Sequence, residues 1–365
     1  MPKHVVVAPD SFKGSLAAHE VAAAIARGWR SVRPDDVVTL LPQADGGEGT
    51  LEAIAAAIPD AVLQTVGPVT GPDGRATQGA WLELPDGIGV VELAQCSGLP
   101  LMAGPDPLGA TTRGLGEVIR HALDHGIDSL VIGLGGSAST DGGVGALRAL
   151  GLELFDEDDA PLADGGGAIA RLGRVDTGSL LPPPPGGVTL LADVTAPLVG
   201  PQGAAAVFAP QKGAGVAEIR TLEAGLARLA AVLGGDPDRP GAGAAGGTAY
   251  GFVEAWGARI EPGARHVQRV TGLTELIRSA DVVLTGEGRF DTTSSTGKVV
   301  GELLGLAAQN HVPVGVIAGQ IAAEAEGWSI SLADLAGSVA VAIADPAPQL
   351  ERAAREAALH FAVLD

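Results

Sequence analysis

Two short stretches near the start of this 365-residue chain gather the residue types that phosphate chemistry needs. Asp10-Ser11-Phe12-Lys13-Gly14-Ser15 offers a carboxylate, two hydroxyls and an ammonium within six residues. Asp45-Gly-Gly-Glu48-Gly-Thr50 sets two carboxylates on a glycine-rich turn. Backbone N–H groups and lysine suit a phosphate, and carboxylates suit the Mg²⁺ that travels with it. The competing readings are structural. Ser15 can cap a helix while Lys13 stays solvated, and the acidic pair can complement a helix dipole.

Other stretches invite different chemistry. Gly133-Leu-Gly135-Gly136-Ser137-Ala138 fits G-x-G-x-x-[GA], with Asp156 about where a ribose-binding acid belongs. Taken alone it is a dinucleotide signature. Gly241-Ala-Gly243-Ala-Ala-Gly246 also fits, but Asp236-Pro-Asp-Arg-Pro240 before it is no strand. Gly297-Lys298-Val299 lacks the upstream glycine and the Ser/Thr of a Walker A sequence. Gly135-Gly-Ser137-Ala-Ser139 lacks the last glycine of a nucleophile elbow. His121 and His125, four apart, have no third ligand nearby and read as polar residues near a helix end. Lys212, in Phe208-Ala-Pro-Gln-Lys-Gly213, reads equally as a solvated loop lysine or a functional one. Cys96, among apolar neighbours, reads as core.

These turns are set by a repeated grammar of short Val/Ile/Leu run, polar turn and Ala-rich helix. Strands are expected at residues 5–8, 37–41, 129–133, 282–285, 314–318 and 339–344. Helices are expected at about 15–30, from 51 to 58, near 144–150, at 298–309 and at 346–362. Val21, Ile25 and Trp29 fall four apart and share one helix face. Buried strands alternating with helices imply a parallel sheet covered on both faces, and the polar turns fall where ligands bind in such sheets. Residues 61–93 hold three short β-like runs, and 150–270 is richer in Gly and Pro. The resulting expectation is an α/β chain of two domains. Residues 1–60, 100–149 and 270–365 form a parallel-sheet domain from both chain ends. Residues 61–99 and 150–269 form an inserted mixed α/β domain.

Composition narrows the partners. Basic residues number 23 against 43 acidic ones, a net charge of −20. Such a surface disfavours nucleic acid and anionic membranes. Hydrophobic residues at 46% exclude a disordered chain. Glycine, at 55 residues, is about twice as frequent as usual, without a G-X-Y period. A single cysteine excludes an intrachain disulfide and a cysteine-based zinc site. No run of 18 apolar residues is present, so a cytoplasmic protein is expected.

Read together, the turns resemble the bacterial glycerate kinases. Ala8-Pro-Asp-Ser-Phe-Lys-Gly-Ser15 and Ala44-Asp-Gly-Gly-Glu-Gly-Thr50 look like that family's opening. Gly133 to Ala138, Asp141-Gly-Gly143, Ala192-Asp193-Val194, Gly200-Pro-Gln-Gly-Ala204, Phe208 to Gly213, Pro240-Gly-Ala-Gly243 and Thr285-Gly-Glu-Gly-Arg289 follow in order, with Asp291, Gly297 and Lys298. The chain departs from the family wording at Ala196, where asparagine is expected, and at Thr292-Thr-Ser-Ser-Thr296. The resemblance implies a flavodoxin-like domain with an inserted restriction-enzyme-like one. It implies ATP-dependent phosphorylation of D-glycerate to 2-phosphoglycerate, with Mg²⁺, in a cleft between the domains. In that scheme Lys13 and Lys298 meet phosphate or substrate carboxylate, Asp45 and Glu48 hold metal, and Asp193 is the base. Asp10, Asp141, Glu287 and Asp291 are further carboxylate candidates. Gly135, Gly136, Ser137, Gly286 and Gly288 line phosphate loops, with Ser11 and Lys212 as further binding residues. The alternatives are a kinase forming 3-phosphoglycerate or using a related hydroxy acid, an NAD-linked oxidoreductase, and a silent ligand-binding relative.

Overall fold

The computed structural model describes every residue except Thr293, 295–297, Glu326 and 364–365. Among the described residues the strands, in chain order, are β1 (His4–Val7), β2 (Val37–Leu40), β3 (Val62–Thr70), β4 (Ala76–Leu84), β5 (Ile88–Glu92), β6 (Ser129–Gly133), β7 (Glu153–Asp156), β8 (Leu172–Asp176), β9 (Val188–Leu191), β10 (Arg259–Glu261), β11 (Val282–Phe290), β12 (Val314–Ile321) and β13 (Trp328–Ser331). The chain divides into two compact units. The first comprises Met1–Asp45, Glu52–Pro59 and Pro262–Asp365; the second comprises Gly46–Leu51 and Asp60–Glu261.

The first unit holds a five-stranded sheet in the order β13-β12-β11-β1-β2, parallel throughout. Counted along the chain this is 2-1-3-4-5, the order of doubly wound flavodoxin-like sheets. Its central strand shows why. Val5, Val6 and Val7 are all fully buried. Val5 and Val7 pack with Val21, Ile25 and Trp29 of helix Ala18–Arg30 and with helix Pro346–Ala362, whereas Val6 packs with Val283 and Leu303 on the opposite face. A continuous β-branched run has no polar face to expose, so the strand is stable only between two helical layers. Trp29 also donates its indole N–H to Asp36, at 3.0 Å.

The second unit holds a six-stranded sheet, β10-β9-β6-β5-β4-β3. β5, β6, β9 and β10 run parallel, and β4 and β3 close one edge antiparallel. Strands β7 and β8 form a separate hairpin. Residues 100–149, expected with the chain termini, belong here. The cause is β6, which pairs with β5 on one side and β9 on the other.

Two further expectations are corrected. Gly286-Glu287-Gly288 is no turn after a strand; it continues β11, whose pairing with β12 runs on to Phe290 opposite Ile321. A Cβ at Gly286 would lie 1.9 Å from the Ile317 carbonyl oxygen, so glycine allows close backbone approach within the ladder. Residues 339–344 form a helix rather than a strand. The Ser338 hydroxyl accepts from the Val341 N–H and caps it, which overrides the β-branched composition. No helix among the described residues is long and apolar enough to cross a membrane.

The packing of helix Ala18–Arg30 on Pro346–Ala362 is close at Gly28, where a Cβ would lie 2.3 Å from the Glu351 carbonyl oxygen and 2.8 Å from the Ala354 Cβ. Gly28→Val is expected to destabilise the fold by about 1–3 kcal/mol through overpacking. Urea unfolding measures this, and an unchanged midpoint would contradict the contact.

Candidate active site

Parallel pairing sends every strand of the first sheet toward the same edge, and order reverses between β1 and β11. Such a reversal opens a crevice beyond the strand ends. A cavity of about 360 Å³ lies there. The loop after β1 gives it Asp10, Ser11 and Lys13, and the turn after β2 gives it Asp45. The far end of β11 adds Glu287 and Gly288, and the segment beyond adds Asp291 and Lys298. Eight residues singled out from the sequence are therefore brought together, across up to 288 positions of chain (298 − 10). Gly297 lies outside the described residues. Ser15 does not cap the following helix; its hydroxyl donates to the Ile343 carbonyl at 3.0 Å.

Electrostatics set the character of this cavity. Burial, with Asp45 and Glu287 nearby, pushes the Asp10 carboxyl up to about 7, against the pull of the Ser11 N–H and Lys13. Burial also raises Glu287, opposed by Ser294, Lys298 and Lys13. Its Oε1 is buried with no hydrogen-bond partner among the described residues. Lys13 stands 3.9 Å from Asp45, and its side chain is 67% exposed. Several carboxylates crowded beside two lysines form a site waiting for cations and for the anion they would carry. No group of three His, Cys, Asp or Glu side chains forms a ready metal cage among the described residues. Mg²⁺ needs none, because it takes one or two carboxylates together with substrate phosphates and water. The hard oxygen donors and the unsatisfied Glu287 oxygen fit that ion.

The remaining predicted residues lie in the second unit. Asp193 follows β9 and is half-buried. The turn after β6 packs backbone to backbone on Gly46 and Gly47. The Gly135 N–H donates to the Gly46 carbonyl at 3.1 Å, and a Cβ on Gly135 would fall 2.4 Å from the Gly47 Cα. These glycines serve close packing of two turns. Gly136, at φ +78°, lies beside Glu48, which is exposed. Glu48 and Asp45, expected as a metal pair, thus belong to different units.

Lys212 is not a solvated loop lysine. It is 7% exposed, and its ammonium donates to the Ser137 hydroxyl at 2.9 Å and to the Ser139 carbonyl. Burial pushes it down to about 8, with Asp141 opposing. Asp141 is fully buried. It accepts from the Thr112 N–H and hydroxyl and from the Gly143 and Gly145 N–H groups. With its oxygens so engaged it orders the loop. Asp156, the supposed ribose acid, accepts from the Asp158 and Ala160 N–H groups and closes a turn. The dinucleotide reading loses its second element.

Sequence reasoning missed Glu92. It is 2% exposed at the end of β5 and accepts from the Gly49 and Leu51 N–H groups, each at 3.2 Å. It thereby fixes the acidic turn from a distance in sequence. The available signal was a carboxylate interrupting Val90-Val91-Glu92-Leu93. His121 accepts the Trp81 indole N–H at 3.0 Å, a packing role. Cys96 is buried, which pushes its thiol up to about 12.

The family model described as the glycerate kinase family matches residues 5–362. The chain belongs to the glycerate kinase family. It is 42% identical over 326 residues to the glycerate 2-kinase of Escherichia coli K12, covering 87% of this chain and 85% of that one. It is 39% identical to a glycerate kinase of Halalkalibacterium halodurans, with the same coverage. A solved structure from Salmonella typhimurium LT2, described as a candidate glycerate kinase 2, superposes with a TM-score of 0.82 at 36% identity. That match covers 100% of this chain and 99% of the other. Glycerate kinase membership makes the chain a kinase and displaces the oxidoreductase reading.

In this member of the glycerate kinase family the raised Asp10 carries a pH signature. The folded state holds its proton up to about pH 7, whereas the ordinary carboxyl releases it near 3.8. Stability relative to a neutral side chain therefore falls as pH rises through that interval and is level above it. Asp10→Asn should match wild type near pH 4 and melt at least ~2 °C higher above pH 8. Melting curves without ligand check this; parallel curves at all pH values would refute it.

Proposed function

We propose that this chain transfers the terminal phosphoryl group of ATP to D-glycerate, giving 2-phosphoglycerate, with Mg²⁺. The observation that carries this reading is the cavity that gathers Lys13, Lys298, Asp10, Asp45 and Glu287 at the sheet edge of a family member. The relatives named glycerate 2-kinase and glycerate kinase support the acceptor. In this reading the first unit is the flavodoxin-like domain and the second the inserted restriction-enzyme-like one.

Phosphoryl transfer asks little covalent chemistry of a protein, so positioning and charge compensation dominate. The glycerate hydroxyl oxygen forms the new bond to the γ-phosphorus, the bond to the β–γ bridging oxygen breaks, and ADP leaves. Lys13 and Lys298 offset the charge of the transferred group or the acid. Asp45 and Glu287 would hold Mg²⁺, which when bound neutralises phosphate charge. Glu48, exposed beside Gly136, is the further metal carboxylate of this reading. The hydroxyl proton passes to Asp193 as base. A second reading gives that role to Asp10, favoured because its carboxyl, held at about 7, is matched to taking up a proton near neutrality. Asp193→Asn and Asp10→Asn decide between them. Loss of the true base lowers kcat by about 10²–10⁴-fold, and loss of the other leaves kcat within about tenfold.

Purified protein with D-glycerate, ATP and Mg²⁺ should release ADP in step with glycerate consumption, and NMR should show 2-phosphoglycerate. The 3-phospho product would overturn the regiochemistry, and absence of glycerate-dependent ADP would overturn the reading. Lys13→Ala should reduce kcat by at least ~10²-fold while the melting temperature moves less than ~2 °C, since the side chain is largely exposed. Wild-type turnover in that variant would remove Lys13 from the site.

A further inference from the structure

The same cavity has a second wall that a small hydroxy acid does not need. Besides its charged groups it is lined by Leu332, Val339, Ala342 and Ile343, from helices Leu332–Ala336 and Val339–Ala344. Leu332 and Ala342 are buried, but Val339 is 38% and Ile343 58% exposed. Val339 and Ile343 are four apart and share a helix face. The Ser15 hydroxyl ties this helix to the loop that carries Lys13 through the Ile343 carbonyl. Exposed β-branched side chains along a cleft lose free energy to water until an apolar surface covers them. D-glycerate has three carbons, each bearing oxygen, and offers no such surface. A nucleotide does: one end is a flat apolar ring and the other a string of phosphates. The cavity lining likewise combines apolar and charged side chains, and about 360 Å³ falls within the range of small-molecule sites.

We propose that this cavity is the nucleotide site, with the purine ring against Val339, Ala342 and Ile343 and the phosphates toward Lys13 and Lys298. This rests on the kinase reading above and goes further by assigning the cavity to the nucleotide and not to the acid. The residues that face the ring are aliphatic, so affinity for the base comes from shape and burial.

Val339→Asp and Ile343→Asp place a charge on the ring wall at positions that already meet solvent, so the fold tolerates them. The KM for ATP should rise at least about fivefold in each variant, with the KM for D-glycerate within about twofold and melting temperatures near wild type. A smaller rise for ATP, or a larger one for glycerate, overturns the assignment. Photolabelling of the wild type with 8-azido-ATP gives an independent reading. Label within residues 332–343 supports the proposal, and label confined to residues 133–141 refutes it. Should the wild type show no glycerate-dependent turnover, the substrate reading fails. The labelled peptide still decides where the nucleotide sits.

Discussion

The site depends on parallel pairing of β1 with β2 on one side and β11 on the other. Because the three strands point the same way, the chain leaves each of them at the same edge. Asp10, Asp45 and Asp291 follow strands that are hydrogen-bonded neighbours, although hundreds of residues separate the first from the last. Antiparallel pairing at either seam would send one acidic loop to the opposite edge. The apolar run Val5–Val7 of β1 secures the arrangement, since it must be covered on both faces, which favours the interior of such a sheet.

Gathering carboxylates at one edge has an electrostatic consequence. Asp10 lies close enough to Asp45 and Glu287, and deep enough, for its proton to be held to about 7. Lys13 and Lys298 offset part of that repulsion without removing it. A cavity of this kind gains most from a cation with a polyanion, which is the form in which a nucleotide triphosphate is delivered.

The second unit uses its polar residues differently. Asp141 accepts four hydrogen bonds within its own loop, Lys212 is spent on Ser137 and Ser139, and Glu92 holds the N–H groups of Gly49 and Leu51. Buried polar groups cost free energy unless they are paired. These three meet that requirement by stiffening the glycine-rich turns around them. The close fit of Gly135 on Gly47 has the same effect.

The sequence by itself determined most of the element types, the two-faced parallel sheet and eight of the residues that line the cavity. The reason is that continuous β-branched runs, helical periodicity and polar turns after strands are local signals. It also carried the family, through many ordered motifs. Tertiary structure alone decided what required knowledge of neighbours. Residues 100–149 joined the second unit because β6 lies between β5 and β9. Gly286-Glu287-Gly288 became strand because β12 offered a ladder partner. Residues 339–344 became helix under a serine cap. Whether a given polar residue faces a ligand or the protein's own backbone depends on donors supplied from far along the chain, as at Asp141 and Glu92, and local sequence does not encode which distant donors will arrive.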